Sequence, residues 1–147
     1  MIALASDHGG FALKEKVKAH LEAKGLEVKD FGTYNTESCD YPDFGEKAAR
    51  AVADASCEKG IVICTSGIGI SIAANKVKGI RCGLCTSVTQ ARLTREHNDA
   101  NMLAMGAGVT GENLAMDIVD TFLSTDFSHG ERHERRVQKI AEIEQEN

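Results

Sequence analysis

Residues 60–76 read GIVICTSGIGISIAANK. Ile61, Val62 and Ile63 form a short apolar, β-branched run, which predicts a buried strand. Ile72, Ala73 and Ala74 lead to Lys76 as a helix. Between them, Cys64-Thr65-Ser66-Gly67-Ile68-Gly69 predicts a tight connection. Its two glycines let the backbone turn sharply and come close to a ligand. The helix start adds unpaired N–H groups and a partial positive charge, which suit an anion. Cys64 falls at the carboxyl end of the strand, where open α/β sheets hold their ligands. A helix N-terminus favours a thiolate, so Cys64 is a candidate reactive group. The competing reading is a small buried residue closing a strand.

Gly67-Ile-Gly69 also resembles the opening of a dinucleotide fingerprint, but that reading fails twice. The third glycine position holds Ile72, and the next strand ends in Thr86-Ser87 without an acidic residue. No Walker A motif occurs, so what survives is a cradle for a small anion.

Outward from this stretch, strands alternate with helices. Ile2 to Ser6 is a strand ending at Asp7-His8-Gly9-Gly10, and a helix follows from Phe11 to Lys24, with Leu13, Val17 and Leu21 on one face. Gly25 stops it. Leu26 to Phe31 predicts a second strand, Gly32 to Asp43 a polar loop containing Tyr41-Pro42-Asp43, and Phe44 to Cys57 an alanine-rich helix. After the central stretch, Ile80 to Cys85 is a strand, Val88 to Glu96 a helix, Asn101 to Met105 a strand and Asn113 to Leu123 a helix. A last helix starts near Glu131 and frays at its acidic end. This alternation predicts a parallel sheet with right-handed crossovers and helices on both faces, in one domain spanning 1–147.

The 147 residues suffice for a real core, and 42% hydrophobic with 27% charged content is ordinary for a soluble globular protein. A net charge of -5 gives no basic field for nucleic acid. No apolar run approaches membrane-spanning length, and the N-terminus lacks the basic region of a signal peptide. Five cysteines, an odd number with no two CxxC pairs, point to reduced thiols in a cytoplasmic protein, not to disulfides or a metal site. Cys57, Cys82 and Cys85 read as structural; Cys39, in a loop, carries no reading.

Three further groups have two readings each. Asp7-His8-Gly9-Gly10 is either a turn with a cap or a carboxylate and imidazole aimed at a polar ligand on the Cys64 rim. His97-Asn98-Asp99 ends a helix, where a histidine commonly complements the helix dipole. If His97 is functional, a parallel sheet puts it at the rim opposite Cys64, and it reaches that site most easily from a two-fold-related second subunit. Arg132 and Arg136 share a helix face that Ile140 and Ile143 continue. The stripe is expected to pack inward, with the arginines either paired to Glu131 or Glu134 or forming a bidentate phosphate clamp.

Together these pieces resemble the type B ribose-5-phosphate isomerase family, which includes galactose-6-phosphate isomerase subunits, over nearly the whole chain. The marks are Ser6–Gly10, Tyr41–Asp43, Gly67–Lys76, Gly79–Arg81, Glu96–Asp99 and Gly130–Val137. The resemblance implies a three-layer αβα sandwich around a five-stranded parallel Rossmann-like sheet, in homodimers or dimers of dimers with shared active sites. It implies aldose–ketose isomerisation of ribose 5-phosphate and ribulose 5-phosphate, without metal or cofactor. Cys64 would move the proton between C2 and C1. Ser66, with the amides of Gly67, Ile68 and Gly69, would stabilise the enediolate oxygen. His97, helped by Asp7, would open the sugar ring. His8, Arg132 and Arg136 would hold the phosphate, and Tyr41 and Asn98 the sugar hydroxyls. Three positions depart from the family. Thr65 stands where glycine is usual and crowds the anion loop. Ser66 replaces the commoner threonine but keeps the hydroxyl, and Gly108 stands where many members carry a phosphate-binding arginine. These departures leave open another sugar phosphate, such as a tetrose, allose or galactose phosphate. A non-catalytic phosphosugar-binding subunit is the reading from a different class.

Overall fold

The computed structural model describes residues 1–147. Its elements are β1 (Ile2–Ser6), α1 (Phe11–Ala23), β2 (Val28–Asp30), α2 (Tyr41–Ala53), β3 (Lys59–Cys64), α3 (Ile68–Asn75), β4 (Cys82–Leu84), α4 (Val88–Glu96), β5 (Met102–Gly106), α5 (Glu112–Ser124) and α6 (Glu131–Gln145). The strands form one parallel sheet in the order β2-β1-β3-β5-β4. The predicted three-layer αβα sandwich is therefore the observed architecture.

Alternation along the strands builds two cores. Leu4, Ile61, Ile63, Leu103 and Met105 face α1, α4 and α5, meeting Leu13, Val17, Ala91, Ile118 and Phe122. Ala3, Ala5, Val62, Cys64 and Ala104 face α2 and α3, meeting Ala48, Ala49, Val52, Ile70 and Ala74. The second face is built largely from alanine, so its helices lie close against the sheet.

Two expectations need correcting. First, α2 begins at Tyr41 and ends at Ala53, not Phe44 and Cys57. Tyr41-Pro42-Asp43 is its first turn. Asp40 is extended, and a proline at the first helical positions loses no intrahelical hydrogen bond. At the other end Ala55 is left-handed (φ 66°) and the Asp54 carboxylate accepts from the Ser56 amide, which closes the helix early. Second, α6 has no buried residue: Ile140 and Ile143 are 46% and 60% exposed. The amphipathic stripe is present, but its isoleucines stay exposed at the wall of a cavity they share with Ile80 and Cys82. The edge strands β2 and β4, each three residues long, are also shorter than the expected Leu26–Phe31 and Ile80–Cys85, whereas β1 keeps its expected bounds. No helix is long and apolar enough to cross a membrane.

Phe122 is fully buried against the sheet. Phe122→Ala is expected to cost about 3–5 kcal/mol of stability, read as a lowered urea midpoint at an unchanged slope.

Candidate active site

The sheet changes direction between β1 and β3: the chain first adds β2 on one side of β1 and then places β3 on the other. Such a switch point leaves a crevice at the carboxyl ends of the two strands. The loops that enter it are Asp7–Gly10 and Cys64–Gly67, with Ser6 opposite Ile63 in the register.

The loops are built for close approach. A Cβ at Gly10 would stand 2.4 Å from the Ile63 carbonyl oxygen, and one at Gly9 would stand 2.1 Å from Thr65 Oγ1. Gly67 is left-handed (φ 79°), and a Cβ there would meet the end of β5 at 2.7 Å, at the Met105 carbonyl carbon. The Cys64 and Thr65 carbonyls accept from the amides of Ala107 and Gly108, both at 2.9 Å. The anion loop is thus stitched to the continuation of β5.

Within it, Cys64 is buried at 4% exposure and its Sγ accepts from the Gly67 amide at 3.1 Å. The exposed Ser66 hydroxyl accepts from the Ile68 amide at 3.1 Å. Two of the three loop amides therefore already have acceptors beside the candidate reactive groups, and Gly69 supplies the remaining one. Tyr41 covers this helix start: a Cβ at Gly69 would lie 2.5 Å from its ring. Buried Asp7 accepts from the Gly10 amide at 3.0 Å, so its carboxylate shapes the turn at the same rim where it would act on a ligand. His8 is exposed, and its Nδ1 accepts from the Cys39 amide at 3.2 Å with the Cys39 sulfur 3.9 Å away. Cys39 is thus a neighbour of the site that its loop position did not reveal.

The other predicted residues form a second group. His97 and Asn98 are exposed beyond the end of α4, at the amino rim of the sheet. Five residues of strand separate Asn101 from Gly106, about 16 Å. The start of α6 belongs to the same group: His133 stacks on His97 with ring centroids 4.3 Å apart, and the Ser128 amide donates to the Glu96 carbonyl. Arg132 and Arg136 are both exposed here, not beside a buried surface. Glu134, one expected acid partner, pairs with His129 instead. His133 was missed because its relation to His97 is spatial, with no spacing signal in the sequence. A cavity of about 730 Å³ also opens at this rim, beside Arg81, Asn98, Ile140 and Ile143. One chain therefore carries two groups of candidate residues at opposite rims: sulfur, hydroxyl, amides and His8 at one, imidazole and arginines at the other.

A family model described as Ribose/Galactose Isomerase matches residues 2–140. Ribose-5-phosphate isomerase B of Escherichia coli is 48% identical over 144 residues, covering 98% of this chain and 96% of that protein. The structure of Clostridium thermocellum ribose-5-phosphate isomerase B superposes with a TM-score of 0.97 at 56% identity, covering 99% of this chain and 97% of that one. The Mycoplasma genitalium ribose-5-phosphate isomerase B with bound ribulose-5-phosphate superposes with a TM-score of 0.94 at 40% identity, over 99% and 97%. The fold and these likenesses define an aldose–ketose isomerase of sugar phosphates. The chain belongs to the type B ribose-5-phosphate isomerase family.

The thiols of Cys57, Cys82 and Cys85 are chemically quiet. Burial pushes the Cys82 thiol up to about 12 and the Cys85 thiol up to about 11, and raises Cys57 as well. Since only the thiolate reacts, Cys82 and Cys85 stay protonated until the pH approaches those values. Iodoacetamide at pH 8 is expected to modify the half-exposed Cys39 well before Cys82 or Cys85, as read by peptide mass mapping of the native protein.

Proposed function

We propose that this chain interconverts ribose 5-phosphate and ribulose 5-phosphate through an enediolate, in a homodimer or dimer of dimers whose sites each draw on two chains. The observation that carries the reading is the Cys64 sulfur, 3.1 Å from the Gly67 amide in an anion cradle at the sheet's switch point. The relative with ribulose-5-phosphate bound supports the substrate class.

In this reading His97 protonates the ring oxygen of the furanose as Asp7 helps release the hydroxyl proton at C1, giving the open-chain aldehyde. The Cys64 thiolate then removes the proton at C2, and the electron pair passes to the C1 carbonyl oxygen. The resulting enediolate lies against the Ser66 hydroxyl and the loop amides, where charge develops. Transfer of the C2 hydroxyl proton to the C1 oxyanion, with return of the proton from the Cys64 thiol to C1, yields the ketose and regenerates the thiolate. Tyr41 and Asn98 meet sugar hydroxyls, while His8, Arg132 and Arg136 neutralise the phosphate. Thr65, exposed in the anion loop with its methyl group against Gly108, bears on which sugar fits.

The division of residues between two rims supports the shared site. A two-fold arrangement that brings the His97 rim of one chain to the Cys64 rim of another completes both sites at once. Cys64→Ala and His97→Ala are each expected to abolish ribose 5-phosphate turnover. Dissociated and reassociated together, they should recover about a quarter of wild-type activity, because half the dimers are mixed and each mixed dimer holds one intact site. No recovery from a verified mixed dimer would refute the shared site.

The arginines have a separate test. Arg136→Ala is expected to raise the KM for ribose 5-phosphate by about 10- to 100-fold, the loss of one charge-assisted contact. Inhibition by unphosphorylated sugars should change far less; equal effects on both would remove the phosphate role.

A further inference from the structure

The turn that carries His97 and Asn98 is held by two arginines from different parts of the chain. Arg81, in the segment before β4, donates from Nε to the carbonyls of Asn98 (3.0 Å) and Asp99 (3.2 Å), and from Nη2 to the Asp99 carbonyl (2.9 Å). Arg95, in the last turn of α4, donates from Nη1 to the Asp99 carboxylate (2.8 Å) and the Ala100 carbonyl (2.7 Å). Its Nε donates to the Thr125 carbonyl at 2.9 Å. The other Asp99 carboxylate oxygen lies 3.4 Å from Arg81 Nη2, so one carboxylate bridges both guanidinium groups. Asp99 itself is left-handed (φ 47°), which sets the direction in which the turn leaves α4. Arg81 is in turn fixed by its own amide, which donates to Asn101 Oδ1 at 2.9 Å.

We infer that Arg81 and Arg95 are positioning residues for His97, acting through the Asn98-Asp99 backbone and the Asp99 carboxylate. His97 is exposed, and the ring of His133 stacks on it. The direction of its side chain is therefore set mainly by the backbone beneath it. A planar guanidinium can hold two neighbouring carbonyls at once, whereas an ammonium on a flexible stem cannot impose the same geometry. The arginine pair converts an exposed, strained turn into a rigid platform, and ring opening is the step that depends on it.

This inference rests on the proposed role of His97, and the test separates the two. Ribulose 5-phosphate cannot close a furanose ring, because its terminal oxygen is esterified. Exchange of its C1 hydrogen in D2O, followed by NMR, therefore reports proton transfer at Cys64 without ring opening. Turnover of ribose 5-phosphate requires both steps. His97→Ala is the reference and should lose turnover while exchange persists. Arg81→Ala is expected to show the same split: turnover down about 10- to 100-fold, with exchange within about twofold of the parent. Arg81→Lys, which retains the charge, should recover part of the turnover and serves if Arg81→Ala is poorly folded. Parallel loss of both signals in a folded Arg81 variant, or loss of neither, would overturn the inference while leaving His97 its role. Absence of the split in His97→Ala would overturn the role of His97 and, with it, that of the arginines.

Discussion

The fold turns on a backbone contact. The carbonyls of Cys64 and Thr65 accept from the amides of Ala107 and Gly108, and Gly67 and Gly106 allow the two segments to touch without side chains between them. A Cβ at Gly106 would stand 2.4 Å from the Ser66 carbonyl oxygen. These contacts extend the β3–β5 ladder past the last strand residues and fix the anion loop to the sheet. The sulfur of Cys64 thereby inherits the rigidity of the central strand, and the first turn of α3 starts at a defined place beside it. Preorganisation of this kind is what lets amides stabilise a developing oxyanion without reorganising when it forms.

The second organising fact is the separation of the candidate residues between the two rims. The carboxyl rim has the groups suited to proton transfer at carbon. The amino rim has exposed cations and imidazoles, in the α4–β5 turn and at the start of α6. A parallel sheet with short connections cannot bring the ends of β3 and α4 together, since each crossover helix returns the chain to the opposite rim. The two-chain site proposed above would join the two groups without rearrangement within the chain. Such an assembly would also offer cover to the exposed isoleucines of α3, Ile68 and Ile72, and of α6, Ile140 and Ile143.

Much of the architecture was legible in the sequence, because strand and helix periodicities alternate cleanly and glycines mark most boundaries. The first turn of α2 was not, since Pro42 reads equally as a loop residue and as the start of a helix. The core position of Cys64 and the turn at Asp7 were both readable from strand ends and glycine pairs. What α6 rests on was not: an apolar stripe says that a face prefers cover, not which surface supplies it. The stacking of His133 on His97 and the convergence of Arg81 and Arg95 on Asp99 were equally hidden. Each joins groups whose proximity depends on the packing of α6 or β4, not on their spacing along the chain.

The seat of Thr65 constrains how this lineage of sequences can vary. Its hydroxyl occupies the volume where a side chain at position 9 would begin, 2.1 Å from that point, and its methyl carbon lies 3.1 Å from the equivalent point at Gly108. The three positions are therefore epistatic. While threonine stays at 65, alanine or serine at 9 requires the threonine hydroxyl to turn away, and a long side chain at 108 must find room beside the threonine methyl.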